Sequence, residues 1–189
     1  MIRYRSNPRK HPSIITVDGK QYQAKYIGKG QYSKVYRVGD RVVYYTRGDC
    51  GKEVLAMYLY DRMAHLPELI RHENIITARD MWYVFSSPWY RNVKKSDGSA
   101  YLLMKRIISW YSSIYNQYHQ REGIQLMQAI VINLEMNSDL PRSVIKALQE
   151  IVNVASNCGE RVGFDLHKKN FGVNEYGTLI FRDPIYVRE

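Results

Sequence analysis

Between residues 163 and 172 the sequence reads GFDLHKKNFG, setting Asp165, His167, two lysines and Asn170 among apolar residues. An acid and an amide five residues apart on a loop suit phosphate chemistry. Asp165 can accept a hydroxyl proton, and Asn170 can offer its amide oxygen to a hard cation. Further on, the stretch RDP delivers Asp183 to the end of a strand. Mg2+ takes hard oxygen ligands and shares them with substrate phosphates, so the order Asp–Asn–Asp fits that ion. Each residue alone has a plainer explanation: Asp165 and Asn170 can cap turns, and Asp183 precedes a proline. Together, behind an upstream glycine loop, they point to a site.

That loop is IGKGQYSKVY, residues 27–36, with Gly28 and Gly30 at a turn between strands. A Rossmann or Walker loop needs a helix directly afterwards, and none is predicted. A glycine-containing strand–turn–strand can still close over a phosphate, because glycine lets backbone N–H groups come near. An ordinary hairpin fits this stretch equally well.

The elements that must position these residues follow from periodicity. Residues 14–47 alternate in short β-rich runs with Asp18–Gly19 and Gly39–Asp40 between them, which are hairpin signals. A helix is expected over 52–64, with Val54, Leu55, Tyr58, Leu59 and Met63 at helical spacing and Pro67 beyond. Strands are expected at about 75–85 and 100–107, joined by the polar loop RNVKKSDGS. MWYVFSSPWY reads as a core strand and its exit. From Ser109 the pattern is helical, most clearly in SDLPRSVIKALQEIVNVASNCG. There Asp139 is expected to cap the start, Pro141 to sit in the first turn and Gly159 to close the end. Val144, Leu148, Ile151 and Ala155 share a face. Two short strands around a turn at 174–177 complete an α+β chain.

Composition narrows the class. The 189 residues make one domain or two packed lobes, and 45% hydrophobic content is enough for a core. The net charge of +10 suits an anionic partner: a nucleotide, a nucleic acid or an acidic protein. Two cysteines give no disulfide framework and fit a reducing cytosol. No apolar run is long enough for a membrane span, and residues 1–13 read as a basic arm rather than a secretory signal. A cytoplasmic protein is expected. Tyr111, Tyr115 and Tyr118 fall at helical spacing and read as a packed face more simply than as a base-stacking surface.

From about Gln21 to Pro184 these motifs resemble the protein kinase-like family. GKGQYSKVY is similar to the kinase glycine loop, HENII to the lead-in to the fourth strand, and YLLMKRI to a fifth strand reaching the hinge near Met104–Arg106. DLHKKN resembles the catalytic loop, and Asp183–Pro184 stands where kinases carry Asp-Phe-Gly. The FDLH…N and DP forms look most like the short early serine/threonine kinases of lytic short-tailed bacteriophages. DLH…N also occurs in small-molecule phosphotransferases.

The resemblance implies a two-lobe fold: a β-rich N-lobe over 14–107 and a truncated, mainly helical C-lobe over 108–189. It assigns Asp165 as base, Asn170 and Asp183 as Mg2+ ligands, and Gly28, Gly30, Ser33, Val35, Arg37, Tyr44, Glu53 and Met104 to the ATP site. A kinase carries a lysine in its third strand that holds the α- and β-phosphates and pairs with a helix glutamate. Here the run is RVVYYTR and the aligned residue is Tyr44. Glu53 is then a helix partner without its lysine, and Arg37, on the Val35 side of its strand, is a replacement cation, whereas Arg47 faces away. Gly163 stands where a histidine usually precedes the catalytic Asp. The sequence stops at Glu189, short of an activation segment. The expected function is therefore an ATP-dependent kinase acting on Ser or Thr of host proteins. The alternative is a pseudokinase that binds a host protein or RNA enzyme, with nucleic acid as a third class of partner through the basic surface.

Overall fold

The computed structural model describes residues 14–17, 20–29, 33–47, 50–58, 63–72, 75–76, 81–118, 120–159 and 161–187. Gly30, the Asp18–Gly19 turn, Leu59 and the N-terminal arm lie outside them. The chain divides into two compact units, one of Met1–Asp49 with Glu68–Trp89 and one of Cys50–Pro67 with Tyr90–Glu189.

The first unit is an antiparallel sheet. Its strands are β1 (Ile14–Val17), β2 (Lys20–Lys29), β3 (Ser33–Val38), β4 (Arg41–Thr46), β5 (Ile70–Arg71), β6 (Ile75–Ile76) and β7 (Met81–Pro88). They lie in the order β1-β2-β3-β4-β7-β5, with β6 also on β7. Strand alternation sends Tyr36 and Val38 of β3, Val43 and Tyr45 of β4, and Trp82 and Val84 of β7 into one buried cluster with Ile15. Tyr36 and Tyr45 meet edge to face at 5.3 Å, and burial pushes the Tyr36 phenol up from its ordinary value. The β3–β4 hairpin turns at Gly39–Asp40, as expected, with Gly39 at φ 62°. Strand 75–85 of the sequence reading is in fact the two strands β6 and β7, paired antiparallel.

The second unit holds the helices α1 (Cys50–Tyr58), α2 (Ser99–Gln117), α3 (Gly123–Asn137) and α4 (Arg142–Ala155). Five short strands belong to it: β8 (Arg91–Asn92), β9 (Val162–Phe164), β10 (Phe171–Val173), β11 (Leu179–Phe181) and β12 (Ile185–Val187). Helix α4 buries Val144, Leu148, Ile151 and Ala155 on the expected face. Each fully buried Leu or Ile contributes about 1.5–3 kcal/mol of apolar burial. Gly159, at φ 85°, follows the last 3-10 turn and closes the element.

Three expectations are corrected. Residues 100–107 are not a strand; they belong to α2, which runs unbroken through the lobe boundary expected at 107. Ala100, Met104, Ile107 and Ile114 are its buried residues, a helical period that overrides the β-rich look of YLLMKRI. Met104 is therefore a core residue of a helix and not part of a hinge strand. The loop before it is fixed locally: Arg91 donates to both Asp97 oxygens at 2.7 and 2.6 Å, and Lys94 N donates to Asp97 at 2.7 Å. The Arg91 guanidinium and that backbone donor hold the Asp97 carboxyl down at about 2.

Asp139 does not cap α4, where Pro141 is the N-cap without a side-chain bond. Its carboxylate pairs instead with Arg106, which lowers its pKa. The helix expected to run to 64 is described as Cys50–Tyr58, and 63–66 form a turn instead, with Leu66 N donating to Met63 O at 3.2 Å. His65 takes φ 73° in that turn. Left-handed backbone is costly without glycine, and three bonds hold it. The ring nitrogens contact Leu179 O at 2.8 Å and Ser143 Oγ at 3.1 Å, and the His65 carbonyl accepts from Phe181 N at 2.8 Å. Burial lowers the His65 pKa from its ordinary value, so the neutral ring donates to Leu179 O and accepts from Ser143.

Candidate active site

Two antiparallel strand pairs bring the three sequence-predicted residues together. β9 pairs with β12, setting Phe164 opposite Ile185, and β10 pairs with β11, setting Phe171 opposite Phe181. The chain leaving β9 at Asp165 and the chain entering β12 at Asp183–Pro184 therefore run side by side. The expected turn of the β10–β11 hairpin is present: Asn174 Oδ1 accepts from Tyr176 N and Thr178 N, with Gly177 at φ 80°.

The loop is closed by bonds that run between its functional residues. Asp165 N donates to Pro184 O at 2.8 Å, and Asp165 O accepts from Asn170 Nδ2 at 2.9 Å. Asn170 N donates to His167 O at 2.9 Å within a 3-10 turn, and Asn170 O accepts from Arg182 N at 2.7 Å. Two of these links, to Pro184 and from Arg182, join Asp165 and Asn170 to the chain neighbours of Asp183. Because the Asn170 amide nitrogen is engaged by Asp165, its oxygen is the atom left to face a ligand. The Asp165 and Asp183 carboxylates are partly exposed, at 37% and 42% of their side-chain surface. His167 Nε2 lies 3.7 Å from Asp165 Oδ1, a contact that becomes an ion pair when the imidazole is protonated.

Four further residues support the set, and sequence reading did not single them out for it. Lys52, in the first turn of α1, places Nζ 3.2 Å from Asp183 Oδ2. Arg182 clamps the 165–170 loop to β8 by donating to Lys169 O at 2.5 Å, Tyr90 O at 3.1 Å and Asn92 Oδ1 at 3.0 Å. Tyr111 donates its hydroxyl to Phe164 O at 3.0 Å, meets the Phe164 ring edge to face and lies tilted against Tyr115. That is the packed helix face expected of the tyrosine stripe. Tyr186 lies opposite Gly163, and a Cβ on Gly163 would come within 2.5 Å of the Tyr186 ring. The tyrosine ring takes the space that any side chain at Gly163 would need. Of these four, Tyr111 had its helical spacing as a local signal and Lys52 the adjacent Glu53, and nothing in the sequence showed where the Lys52 ammonium pointed.

The first unit carries the rest of the expected nucleotide residues. Gly28 sits in β2 beside a bulge between Tyr26 and Gly28; β2 runs to Lys29 and β3 starts at Ser33, and residues 30–32 between them lie outside the described residues. Val35 pairs directly with Tyr44, and Ser33 is buried. The Tyr44 hydroxyl is 3.4 Å from Ser87 Oγ. Arg37 is exposed, donates to Gly39 O at 3.2 Å and stacks over Trp89 at 4.9 Å, at the hairpin-turn end of its strand. Arg47 lies over Trp82, on the opposite face from Tyr44 as expected. Glu53 is half-buried in α1, in the second unit.

Among the described residues there is no group of three or more His, Cys, Asp or Glu side chains suited to a metal. Mg2+ commonly keeps waters and binds through one or two protein oxygens with substrate phosphates. Asn170 and Asp183 fit that mode. Among the described residues no helix is long and apolar enough to cross a membrane.

No protein-family model matches this chain, and no curated protein sequence matches it. Among solved structures it is similar to the aminoglycoside phosphotransferase APH(4)-Ia, with 12% identity over 88% of this chain and 68% of that one and a TM-score of 0.38.

Proposed function

We propose that the protein is an ATP-dependent phosphotransferase whose acceptor is a serine or threonine hydroxyl of another protein, in keeping with the resemblance of its motifs to short phage kinases. The observation that carries this reading is the bond from Asn170 Nδ2 to Asp165 O. It fixes an acid and an amide oxygen relative to each other, on a loop tied through Pro184 to Asp183. Asp165 orients the acceptor hydroxyl and takes its proton. Asn170 and Asp183 hold Mg2+, which when bound supplies the neutralisation of phosphate charge. Positioning and electrostatics dominate such a transfer, and the loop's closed bonding provides the first. In the first unit the resemblance assigns Gly28, Gly30, Ser33, Val35, Arg37 and Tyr44 to the nucleotide. The setting in this reading is the cytoplasm, the host's where the protein is phage-encoded, and the substrates are then host proteins.

A second reading is favoured by one observation: Tyr44, with its hydroxyl toward Ser87, offers no charge where a kinase has its lysine. In this reading the chain is a pseudokinase that acts by binding a protein or an RNA enzyme through its +10 surface.

Incubation with γ-labelled ATP and Mg2+, alone and with cell extract, separates the two. Wild type should transfer label, and Asp165→Asn should lose about a hundredfold to ten-thousandfold of the rate with unchanged melting. Full transfer by Asp165→Asn would remove the base assignment. No transfer by wild type, with its biological effect intact in Asp165→Asn, would establish the binding-only reading.

A further inference from the structure

Lys52 is 4% exposed, yet its ammonium ends 3.2 Å from an Asp183 oxygen whose side chain is 42% exposed. A buried amine is costly unless paired. Replacing a buried ion pair by apolar groups is often neutral or stabilising, so stability alone gives little reason for a lysine here. The direction of the side chain is informative. Its stem is covered and its charge is delivered from the protein side to a carboxylate that solvent reaches.

The backbone that places it is fixed by the same segment. A Cβ on the neighbouring Gly51 would lie 3.1 Å from Ile185 Cβ, Cγ2 and O. The first turn of α1 is thus seated on β12, two residues beyond Asp183. An ammonium has three donors on a compact charge, so it can keep Asp183 and still bond a second oxygen.

We propose that Lys52 binds a phosphate oxygen of the nucleotide beside Asp183. This rests on the phosphotransferase reading. An oxygen sharing a cation with Asp183 is a neighbour of that carboxylate, and so within reach of an ammonium already beside it. The helix, rather than the strand, provides the charge, one position before Glu53.

Calorimetric titration of wild type, Lys52→Met and Lys52→Arg with Mg·ATP and with adenosine tests this, with melting temperatures measured alongside. Loss of a charge-assisted bond should weaken Mg·ATP binding by Lys52→Met about tenfold to hundredfold. Adenosine binding should not change, and Lys52→Arg should retain most of the Mg·ATP affinity. Should Lys52→Met not fold, Lys52→Gln takes its place in the same titration. Undiminished Mg·ATP binding by the neutral variant would overturn the role of Lys52 alone. So would an equal loss of Mg·ATP and adenosine, which is the mark of a structural residue. Wild type that binds neither would overturn the phosphotransferase reading, and this proposal with it.

Discussion

Asn170→Asp exchanges one atom in the bond that defines the loop. In the wild type Nδ2 donates to Asp165 O over 2.9 Å. In the variant an ionised carboxylate sets one acceptor against another at that distance, in a half-buried place. The lost bond is worth about 0.5–1.5 kcal/mol and an acceptor left unsatisfied costs about 1–3 kcal/mol, so a destabilisation of about 1–3 kcal/mol is expected near pH 7. For a chain of this size that corresponds to a fall of about 2–4 °C in melting temperature for each kcal/mol.

The sign of the pH dependence separates this from simple damage. A protonated carboxyl can donate to Asp165 O, so folding raises the pKa of the new acid above about 3.9. The folded state then binds more protons than the unfolded state, and the variant's deficit relative to wild type is full above that folded pKa and shrinks as pH falls through it. Asn170→Ala loses the bond without the repulsion, so it should be the milder change at pH 7 although it removes more atoms. Melting curves of the three proteins from pH 7 to pH 4 measure this. A deficit for Asn170→Asp that is smaller than that of Asn170→Ala, or that does not change with pH, would refute the argument. The bond would then not be what holds Asp165.

Two more outcomes follow from the fold. His65 is neutral when folded, with its pKa lowered by burial from the ordinary 6.5. The unfolded chain therefore takes up the proton first, and stability should fall as pH drops below about 6.5. Denaturant melts of wild type and His65→Ala should show that slope reduced in the variant, and an identical slope would assign it to other groups. Gly172 lies in β10 where a Cβ would come within 2.7 Å of Tyr90 Cβ and of Arg182 Cδ. Gly172→Ala should cost about 1–3 kcal/mol as overpacking and loosen the Arg182 clamp. Wild-type stability in that variant, measured by chemical denaturation, would contradict the packing.

The parts of the site that could be read from sequence are those whose partners are close in the chain. Asp165 and Asn170 are five residues apart, and their bond is made within one loop. The turn around Asn174 and the buried face of α4 are equally local. What sequence hid depends on long separations. Lys52 meets Asp183 across 131 positions, and Arg182 reaches Tyr90 across 92. No periodicity or motif encodes where such side chains end. The misreading of 100–107 has the same root, because a run of Tyr, Leu and Met is compatible with strand or helix until the core it faces is known. Asp139 shows the complementary case, where a residue suited to capping is drawn off by Arg106, 33 positions away.

In the kinase pattern the acid, the amide and the metal carboxylate are identified by a short motif, but the phosphate cation is identified only by which strand it occupies. The motif residues need a particular backbone between them, since Asn170 must reach the carbonyl of Asp165. A phosphate needs only positive charge at the right point, and a lysine can deliver that from any element whose first atoms are fixed. Tyr44 therefore says that the cation is absent from that strand. It does not say that the chain has no cation to offer, since Lys52 stands beside Asp183.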